Sequence, residues 1–560
     1  MHVSISIPGS KSIANRALVL AHLSRNKTKF KNLPNCTDVT LMQKALKSLN
    51  KAKINTGDAG TTTRFITALA TLQNRKITID GTTHMRKRPI RPLITALNGL
   101  GAKVTSKTGC PPLTIHPKVP TGGQISLPGN ISSQYLSALL MIAPTLEKET
   151  IINIEQKLCS TPYIDLTLEI MKDFGIKVTN KNYKQFKIKP QKITPQKTLS
   201  IEPDASSASY IGAFAAFHPK THVLLKGLNK NSIQGDISFL KHLKKMGCLI
   251  TQKPTGTLIQ GPKKLKSLGK IDMNETPDLV MTFAILAIFT EGKTTIKNIE
   301  NLRIKETDRL KALKTELTKI GIKVKTTKNS ITIIGDPNLT PKKTTIETYN
   351  DHRIAMSFAI ANTRLHTLII TNPTCVQKSY TQFWDDLAEL NKTSLILIGL
   401  RGSGKTKLGK MISKYTNRQF IDTDQEIEKQ IGMKIHEFVE QNGWRKFRDI
   451  ERKVISETTK RDNTVISTGG GAVLCRHNTK NLQKSGFIVY LHRHPKTCAK
   501  YIENNKDRPP LTNKVDIEEE MKELYKTRNK TYKKVATLTF KRTENLEENA
   551  LQIIKAFDEA

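Results

Sequence analysis

Six stretches of the chain share one pattern, a short polar opening followed by a helix-length run of small and apolar residues. They are KSIANRALVLAHL from Lys11, GTTTRFITALATL from Gly60, SSQYLSALLMIA from Ser132, SSASYIGAFAAF from Ser206, PDLVMTFAILAIF from Pro277 and DHRIAMSFAIA from Asp351, at intervals of 49, 72, 74, 71 and 74 residues. A second marker keeps the same beat. Gly101, Gly175, Gly247 and Gly321 each follow a helical pattern and precede a strand-like one (LGAKV, FGIKV, MGCLI, IGIKV), the sequence form of a helix stop. The pattern predicts about six copies of a roughly 72-residue α/β unit over the first ~390 residues, the first one shortened. Each unit pairs a helix apolar almost all round, hence buried, with an amphipathic one, as at 165–174 and 236–246.

Buried helices that open on Ser, Thr or Asp aim free backbone N–H groups and the positive end of the dipole at whatever lies beyond. That suits anions. Ser and Thr are also simple caps, but caps do not account for Lys11, Arg16, Arg64 and Arg353 at the same helix starts.

After Leu390 the rhythm stops. Leu395–Ile398 predicts a short strand running into GLRGSGKT, with a helix over Lys407–Tyr415 behind it. A glycine-rich loop in that setting surrounds phosphates with backbone N–H groups, its lysine reaching the β/γ-phosphates and its Ser/Thr a magnesium ion. Gly402, Ser403, Gly404, Lys405 and Thr406 are therefore candidate ATP contacts. The acceptor stays open until three later groups are read. Asp422 and Asp424 (DTD) fall at a strand end, Arg448 and Glu451 (FRDIE) share a helix face, and Gly469, Gly470 and Gly471 (TGGG) offer bare backbone. Singly, a triple glycine is a turn and an acidic pair a metal site, which leaves gluconate- or adenylate-type kinases open. The joint, Asn391-Lys392-Thr393, has no Pro/Gly/Ser tract, so the two parts are closely linked.

Composition excludes several classes. Apolar residues make up 37% of 560, enough for proper cores and against wholesale disorder. Seven scattered cysteines without a CxxC or Cys/His cluster argue against a disulfide scaffold or structural zinc and for a reducing compartment. The longest apolar stretch, Leu279–Phe289, falls short of the ~18 residues a bilayer span needs. Strand-like alternation begins at Val3, Ile5 and Ile7, leaving no room for a leader. A cytoplasmic protein with no membrane partner is expected. The excess of 91 Lys+Arg over 48 Asp+Glu, formally +43, suggests nucleic acid. The bases run the whole length, however, Lys far outnumbers Arg, and no nucleic-acid signature occurs. The expectation is a solvated lysine-rich surface and no nucleic-acid partner, with a field that favours small anionic substrates.

Ten blocks then carry a resemblance: PGSKSIANRA, DAGTTTR, KRPI, ISSQY, STPYID, PDASSASY, NSIQGD, KETDRL, NDHRIAM and CVQKSY. Through them residues 1–390 resemble 3-phosphoshikimate 1-carboxyvinyltransferase (EPSP synthase). The resemblance implies a two-lobed inside-out α/β barrel of six βαβαββ repeats, with lobe one 1–9 plus 205–390, lobe two 10–204 and the active site in the cleft between them. The implied reaction moves the enolpyruvyl group of phosphoenolpyruvate to the 5-hydroxyl of shikimate 3-phosphate, releases phosphate and needs no cofactor. By motif, Lys11, Arg88 and Lys378 would hold the phosphoenolpyruvate phosphate and Arg309 and Arg353 its carboxylate, with Gly60 and Gln134 alongside. Shikimate 3-phosphate would contact Lys11, Ser12, Arg16, Ser132, Ser133, Gln134, Ser160, Asp278, Asn301 and Lys305. Asp278 matches the base for the 5-hydroxyl, Glu306 the acid that moves protons at the methylene carbon, and Lys11 assists the leaving phosphate. Read alone, KETDR is equally a helix ion-pair ladder, Pro277-Asp278 a common helix opening, and His352 a structural histidine. Three positions depart from the family: Asp58 replaces the usual Asn, and Phe65 and His84 stand where some relatives have Pro and Arg.

Residues 394–560 resemble shikimate kinase, which implies a P-loop α/β/α domain with a central parallel sheet. The carry-over gives Asp424, Arg448, Gly470 and Arg528 as shikimate contacts and Asp422 with Thr406 for magnesium. Lys405 and Arg508 are the implied catalytic cations, Arg508 (in DRPPL) as the lid arginine that meets ATP. Trp444 stands where relatives usually have Glu. The two resemblances connect, because the kinase product is the transferase substrate. The chain is expected to be a monomer whose partners are shikimate, ATP, shikimate 3-phosphate and phosphoenolpyruvate. Two alternatives remain: a UDP-sugar enolpyruvyl transferase fused to another small-metabolite kinase, whose cysteine-acid motif Cys110 (GCPPL) does not match, or a basic nucleic-acid-binding protein on an enzyme scaffold.

Overall fold

A computed structural model describes residues 2–25, 28–219, 221–365, 367–390, 394–416, 418–461, 464–502 and 516–559. The chain forms two compact units, His2–Phe383 and a second that begins at Trp384. The expected joint, 391–393, and the expected lid arginine, Arg508, lie outside the described residues.

In the first unit the six hydropathy stretches form the buried helices Lys11–Leu23, Gly60–Ala70, Ser133–Ile142, Ala205–Phe217, Val280–Ile288 and His352–Leu365. Four four-stranded sheets pack on them with one connectivity, a parallel pair followed by an antiparallel hairpin. Two units are reduced, among the described residues, to parallel pairs: Lys29–Lys31 with Thr198–Ser200, and Thr344–Ile346 with Leu368–Ile370. The sixfold rhythm thus belongs to the helices, and only four sheets are complete. The first interval, 49 residues, is too short for a hairpin. In the last unit the chain after Ile370 turns instead into the 3-10 segment Pro373–Lys378. Two pairings tie distant segments together, His2–Ser6 with His222–Lys226 and Thr198–Ser200 with Lys29–Lys31.

The predicted stops share one geometry. Gly101, Gly175, Gly247 and Gly321 have φ of 103°, 73°, 102° and 91°. The next N–H returns to a carbonyl five residues back, Ala102 to Leu97, Ile176 to Met171, Cys248 to Leu243 and Ile322 to Leu317, at 3.0–3.1 Å. That bond closes a helix end only when the residue before it is left-handed, hence glycine. The predicted 236–246 helix differs at its start. Gly235–Ser238 is a 3-10 turn, and the α-helix runs from Phe239 to Lys245.

The second unit is built on a five-stranded parallel sheet in the order Gln419–Asp422, Thr464–Ser467, Ser394–Ile398, Gly486–His492, Leu538–Lys541. Strand alternation sends Leu395 and Leu397 into one core, with Leu408 and Ile412, and Ile396 and Ile398 into another, with Tyr490 and Tyr532. Burial on both faces is what a parallel sheet requires. The helix over Ile435–Thr458 breaks at Gly443 (φ 76°, ψ 163°), so Phe447, Arg448 and Glu451 follow the kink. Among the described residues no helix is long and apolar enough to cross a membrane.

Candidate functional sites

The starts of five of the six buried helices converge on one cavity in the first unit, the Ala205–Phe217 helix being the exception. Its lining includes Lys11, Ser12, Arg16, Gly60, Arg88, Ser132, Ser133, Gln134, Ser160, Asp278, Asn301, Lys305, Glu306, Arg309 and Arg353. Lys378, carried in by the 3-10 segment, reaches Glu306 Oε1 at 3.2 Å. Every residue to which the transferase resemblance gives a substrate contact or a proton-transfer role is therefore brought to one place, whereas Arg64 is not in the cavity wall. The Lys11 and Gly60 helices have no side-chain cap, leaving their first N–H groups available, whereas Ser132 caps its own helix by accepting from the Gln134 N–H at 3.3 Å. Gly60 is set by space: a Cβ there would stand 2.7 Å from guanidinium nitrogens of both Arg64 and Arg88.

Cations dominate the lining, six Lys/Arg against three acids, and each acid is held by them. Lys11 donates to Asp38 at 2.8 Å. Arg309 donates to Asp351 (2.8 Å), Glu306 (2.8 Å) and Asp278 (3.2 Å), and Arg353 donates to Asp278 at 2.8 Å. Burial alone would push Asp278 and Glu306 up. The cations outweigh it, Arg353, Lys305 and Arg309 around Asp278 and Lys378, Arg309 and Arg88 around Glu306, and hold both carboxyls well below the usual range. Burial also lowers His352 well below its ordinary value, assisted by Lys11 and Arg353, and neither ring nitrogen has a hydrogen-bond partner among the described residues. Arg88, 7% exposed, has two guanidinium nitrogens, Nε and Nη1, in the same condition. Its Nη1 stands 3.8 Å from Glu306 Oε1, an ion pair without a hydrogen bond, so the guanidinium keeps unused donors for an anion.

Asp38, Thr61, Tyr163 and His352 also line the cavity, without a sequence signal that marks them for it. Tyr163 lay within a quoted block, STPYID, but its partners come from remote segments and no spacing announces them. Asp58 and His84, the two departures, form a contact: His84 Nδ1 lies 2.9 Å from Asp58 Oδ1, and Lys378 donates to the Asp58 carbonyl at 3.0 Å. Phe65 packs in the core with the Arg16 guanidinium 5.5 Å from its ring. Cys110 is not among the residues of the cavity wall.

The second site lies at the carboxyl ends of the parallel strands, where ligands bind in such sheets. Gly402 and Gly404 of the loop have φ of 71° and 89°. A Cβ on Gly404 would stand 2.0 Å from the Arg542 guanidinium, and one on Gly402 2.4 Å from the Cys498 carbonyl. Lys405 Nζ donates to the carbonyls of Gly399 (3.0 Å) and Leu400 (2.9 Å). The Thr406 hydroxyl donates to Asp422 Oδ2 at 2.7 Å, so a hydroxyl and a carboxylate oxygen face one point, the hard donors magnesium takes beside phosphates and water. The glycine run faces Asp424 and Arg448. A Cβ on Gly469 would meet Asp424 Oδ1 at 2.6 Å, and one on Gly471 the Arg448 guanidinium at 2.5 Å. Tyr532 donates to the Gly470 carbonyl and contacts Arg528. Asp424, Arg448, Gly470 and Arg528 thus lie around one glycine run. Arg448 pairs with Glu451 at 2.7 Å, and its guanidinium lies 5.5 Å from the Trp444 ring and 5.2 Å from the Phe447 ring.

The family model for EPSP synthase (3-phosphoshikimate 1-carboxyvinyltransferase) matches residues 1–56 and 50–387, and that for shikimate kinase residues 401–558. A 3-phosphoshikimate 1-carboxyvinyltransferase of Hamiltonella defensa is 40% identical over 70% of this chain and 96% of its own length. The pentafunctional AROM polypeptide 2 of Lodderomyces elongisporus is 35% identical over 96% of this chain, but the match covers 39% of that protein. The chain therefore spans about two fifths of such relatives. An EPSP synthase structure from Acinetobacter baumannii superposes with a TM-score of 0.57 at 21% identity, covering 69% of this chain and 95% of that one, which speaks for the fold.

Proposed function

Because the chain belongs to the EPSP synthase family and carries a shikimate kinase domain behind it, we propose that it catalyses two consecutive steps. The second unit phosphorylates the 3-hydroxyl of shikimate with ATP, and the first transfers the enolpyruvyl group of phosphoenolpyruvate to the 5-hydroxyl of the product. The observation that carries this reading is the cation cage on paired acids, with Lys11, Arg88, Lys305, Arg309, Arg353 and Lys378 around Asp278 and Glu306.

Two phosphates and two carboxylates enter the cavity, and planar guanidinium forks suit the carboxylates. Arg309 and Arg353 take the phosphoenolpyruvate carboxylate, Lys11, Arg88 and Lys378 its phosphate. The serines 132, 133 and 160 with Lys305 hold the phosphate of shikimate 3-phosphate. Asp278 accepts the 5-hydroxyl proton as that oxygen bonds to the enol carbon, and Glu306 delivers a proton to the methylene carbon. Glu306 is held ionised by Lys378, Arg309 and Arg88, which stabilise its charge. Once the same cations turn to the substrate anions, that stabilisation falls and the carboxyl gains its proton. Loss of phosphate and return of the methyl proton to Glu306 complete the exchange. Cations aimed at groups whose charge grows in the tetrahedral state supply the electrostatic part of catalysis.

In the kinase, loop N–H groups and Lys405 hold the ATP phosphates, while Arg448 and Arg528 hold the shikimate carboxylate and Asp424 its hydroxyls. Thr406 and Asp422 would hold magnesium, which neutralises phosphate charge when bound. Arg508 acts as the lid arginine. We also assign lobe one to 1–9 plus 205–390, lobe two to 10–204, the kinase to 394–560, a monomeric state and a cytoplasmic location.

The deciding experiment supplies shikimate, ATP, magnesium and phosphoenolpyruvate and follows ADP and phosphate separately. Release of both, with phosphate dependent on ADP formation unless shikimate 3-phosphate is added, supports the reading. Turnover of a UDP-sugar instead, or steeply salt-dependent nucleic-acid binding without turnover, overturns it.

A further inference from the structure

Two acids share one hydroxyl at the wall of the transferase cavity. The Tyr163 oxygen lies 3.2 Å from Asp236 Oδ2 and 3.2 Å from Asp278 Oδ2. Tyr163 stands in the first turn of the Thr161–Asp173 helix, and Asp236 in the Gly235–Ser238 turn. These segments meet where Gly235 touches Pro162, so closely that a Cβ on Gly235 would lie 2.2 Å from the Pro162 Cβ. Glycine is needed for that approach, and the approach brings Asp236 to Tyr163.

Asp236 is 4% exposed, accepts from the Ser206 hydroxyl, and leaves its Oδ1 without a hydrogen-bond partner among the described residues. Neither substrate has been assigned to it. Burial first, and the charge of Asp278 next, push its carboxyl up to about 6, against the Ser206 hydrogen bond and Arg353. Asp278 has the opposite surroundings, since Arg353, Lys305 and Arg309 overcome its burial. It is ionised at any working pH and is for that reason a weak proton acceptor. The stronger acceptor stands one hydroxyl behind it.

We propose that Tyr163 and Asp236 relay onward the proton that Asp278 takes from the substrate 5-hydroxyl. The inference rests on the reading of Asp278 as the transferase base. The substrate O–H bond breaks as its oxygen bonds to the enol carbon, and the proton goes to Asp278. It passes to the Tyr163 oxygen while the Tyr163 proton moves to Asp236. Tyr163 ends neutral, Asp278 ends ionised, and Asp236 ends as the carboxylic acid, which loses its proton to water after product leaves. Both act through Asp278 and are positioning residues. The other groups facing the relay are Asp204 and Ser206 beside Asp236, Arg353 from the last buried helix, and Lys305, Glu306 and Arg309 around Asp278.

The test is single-turnover conversion of shikimate 3-phosphate and phosphoenolpyruvate by the full chain between pH 5 and 8, with steady-state KM values alongside. The wild-type rate should fall toward acid as Asp236 takes up a proton. Asp236→Asn should lower the rate about 100-fold, move each KM by no more than about twofold, and abolish the acid fall. Tyr163→Phe removes one oxygen from an otherwise unchanged ring and should do the same, which keeps the proposal testable if the asparagine variant misfolds. Asp236→Glu should recover part of the rate. Variants that keep the wild-type rate and its acid limb, or that lose activity through KM alone, overturn the relay. Failure of the underlying assignment looks different: Asp278→Asn would then turn over like the wild type.

Discussion

Arg309, at 1% side-chain exposure, lies between three carboxylates, those of Asp278, Glu306 and Asp351. Arg448, at 33%, has one carboxylate and two aromatic rings beside it. The contrast extends to the sites around them. The cavity of the first unit is a desolvated salt network in which each acid is paired with cations, so its chemistry is set by which anion the cations face. The second site is built mainly from backbone, glycines that let the Asp424, Arg448 and Arg542 side chains and the Cys498 carbonyl come close, with Lys405 and Arg528 buried beside them and Arg448 part-exposed at the rim. Buried ion networks are expensive to disturb, whereas a rim arginine costs little to shift. The same unit charge therefore carries different weight in the two sites.

The largest expected effect separates them outright. Glu306→Ala should lower transferase turnover by about 10²–10³-fold and leave ATP-dependent phosphorylation of shikimate at the wild-type rate. Lys405→Ala should do the reverse, stopping phosphorylation while still converting supplied shikimate 3-phosphate. The measurement is ADP and phosphate release by each variant. If either variant lost both activities while folded, the two sites would not be independent.

The desolvated network should also show in stability. Burial keeps the folded-state value of His352 well below its unfolded one, so the unfolded chain binds the extra proton as pH drops below about 6.5. The first unit should thus lose stability from this residue as pH falls from 8 to 5. Asp236, raised to about 6, works in the opposite sense over the same range but is common to wild type and variant. Hydrogen exchange in peptides from His2–Phe383 should show His352→Gln removing that part of the acid destabilisation, with Trp384–Ala560 unaffected. Equal pH slopes in the two proteins would mean that His352 is hydrated and titrates normally.

A charge inserted into the phosphate corner gives a smaller effect. Asp58 Oδ2 lies 3.5 Å from Lys378 Nζ and competes with an incoming phosphate, while His84 engages the other oxygen. The His84 hydrogen bond and Lys378, acting against burial, hold Asp58 below its ordinary value. Both residues are partly exposed (22% and 42%), which limits the energy to that of a surface pair. Asp58→Asn should lower KM for phosphoenolpyruvate about threefold with kcat unchanged. His84→Ala should raise KM in the wild type and do nothing in the Asp58→Asn background. Additive effects would show the two positions to be uncoupled.

What the sequence disclosed follows from the range of the interactions involved. The buried helices and the four left-handed glycines were legible because hydropathy period and helix-stop chemistry act within about ten residues. Lys11, Gly60, Ser133 and Arg353 sit at helix starts, whose positions that local code fixes, whereas Arg88, Asn301, Lys305 and Lys378 sit in or beside 3-10 turns that it does not announce. Contacts between remote segments left no such trace. Asp38 meets Lys11, Arg16 meets Thr167, and Asp236 meets Tyr163 through packing of elements far apart in sequence, and neither member of a pair announces the other. The two sheets reduced to pairs were hidden for the same reason, since a three-residue strand carries almost no periodic signal.

Trp444 is the weakest lever and the finest test of the contrast. Gly443 breaks the helix immediately before it, which turns the indole toward the Arg448 guanidinium, 5.5 Å from its ring, with Phe447 at 5.2 Å. A carboxylate at this position would pair with Arg448 and compete with the shikimate carboxylate. An indole steadies the cation through its ring face and leaves the charge unneutralised. Such a contact at a half-exposed site is worth about 0.5–1 kcal/mol, so Trp444→Ala should raise KM for shikimate about two- to fivefold with kcat and KM for ATP unchanged. Trp444→Phe should recover most of it, because the ring face remains. Trp444→Glu should raise KM further at low ionic strength and less at high salt, where the carboxylate is screened. If all three variants bound shikimate like the wild type, Glu451 alone would be holding Arg448, and the aromatic half of the kinase rim would have no part in binding.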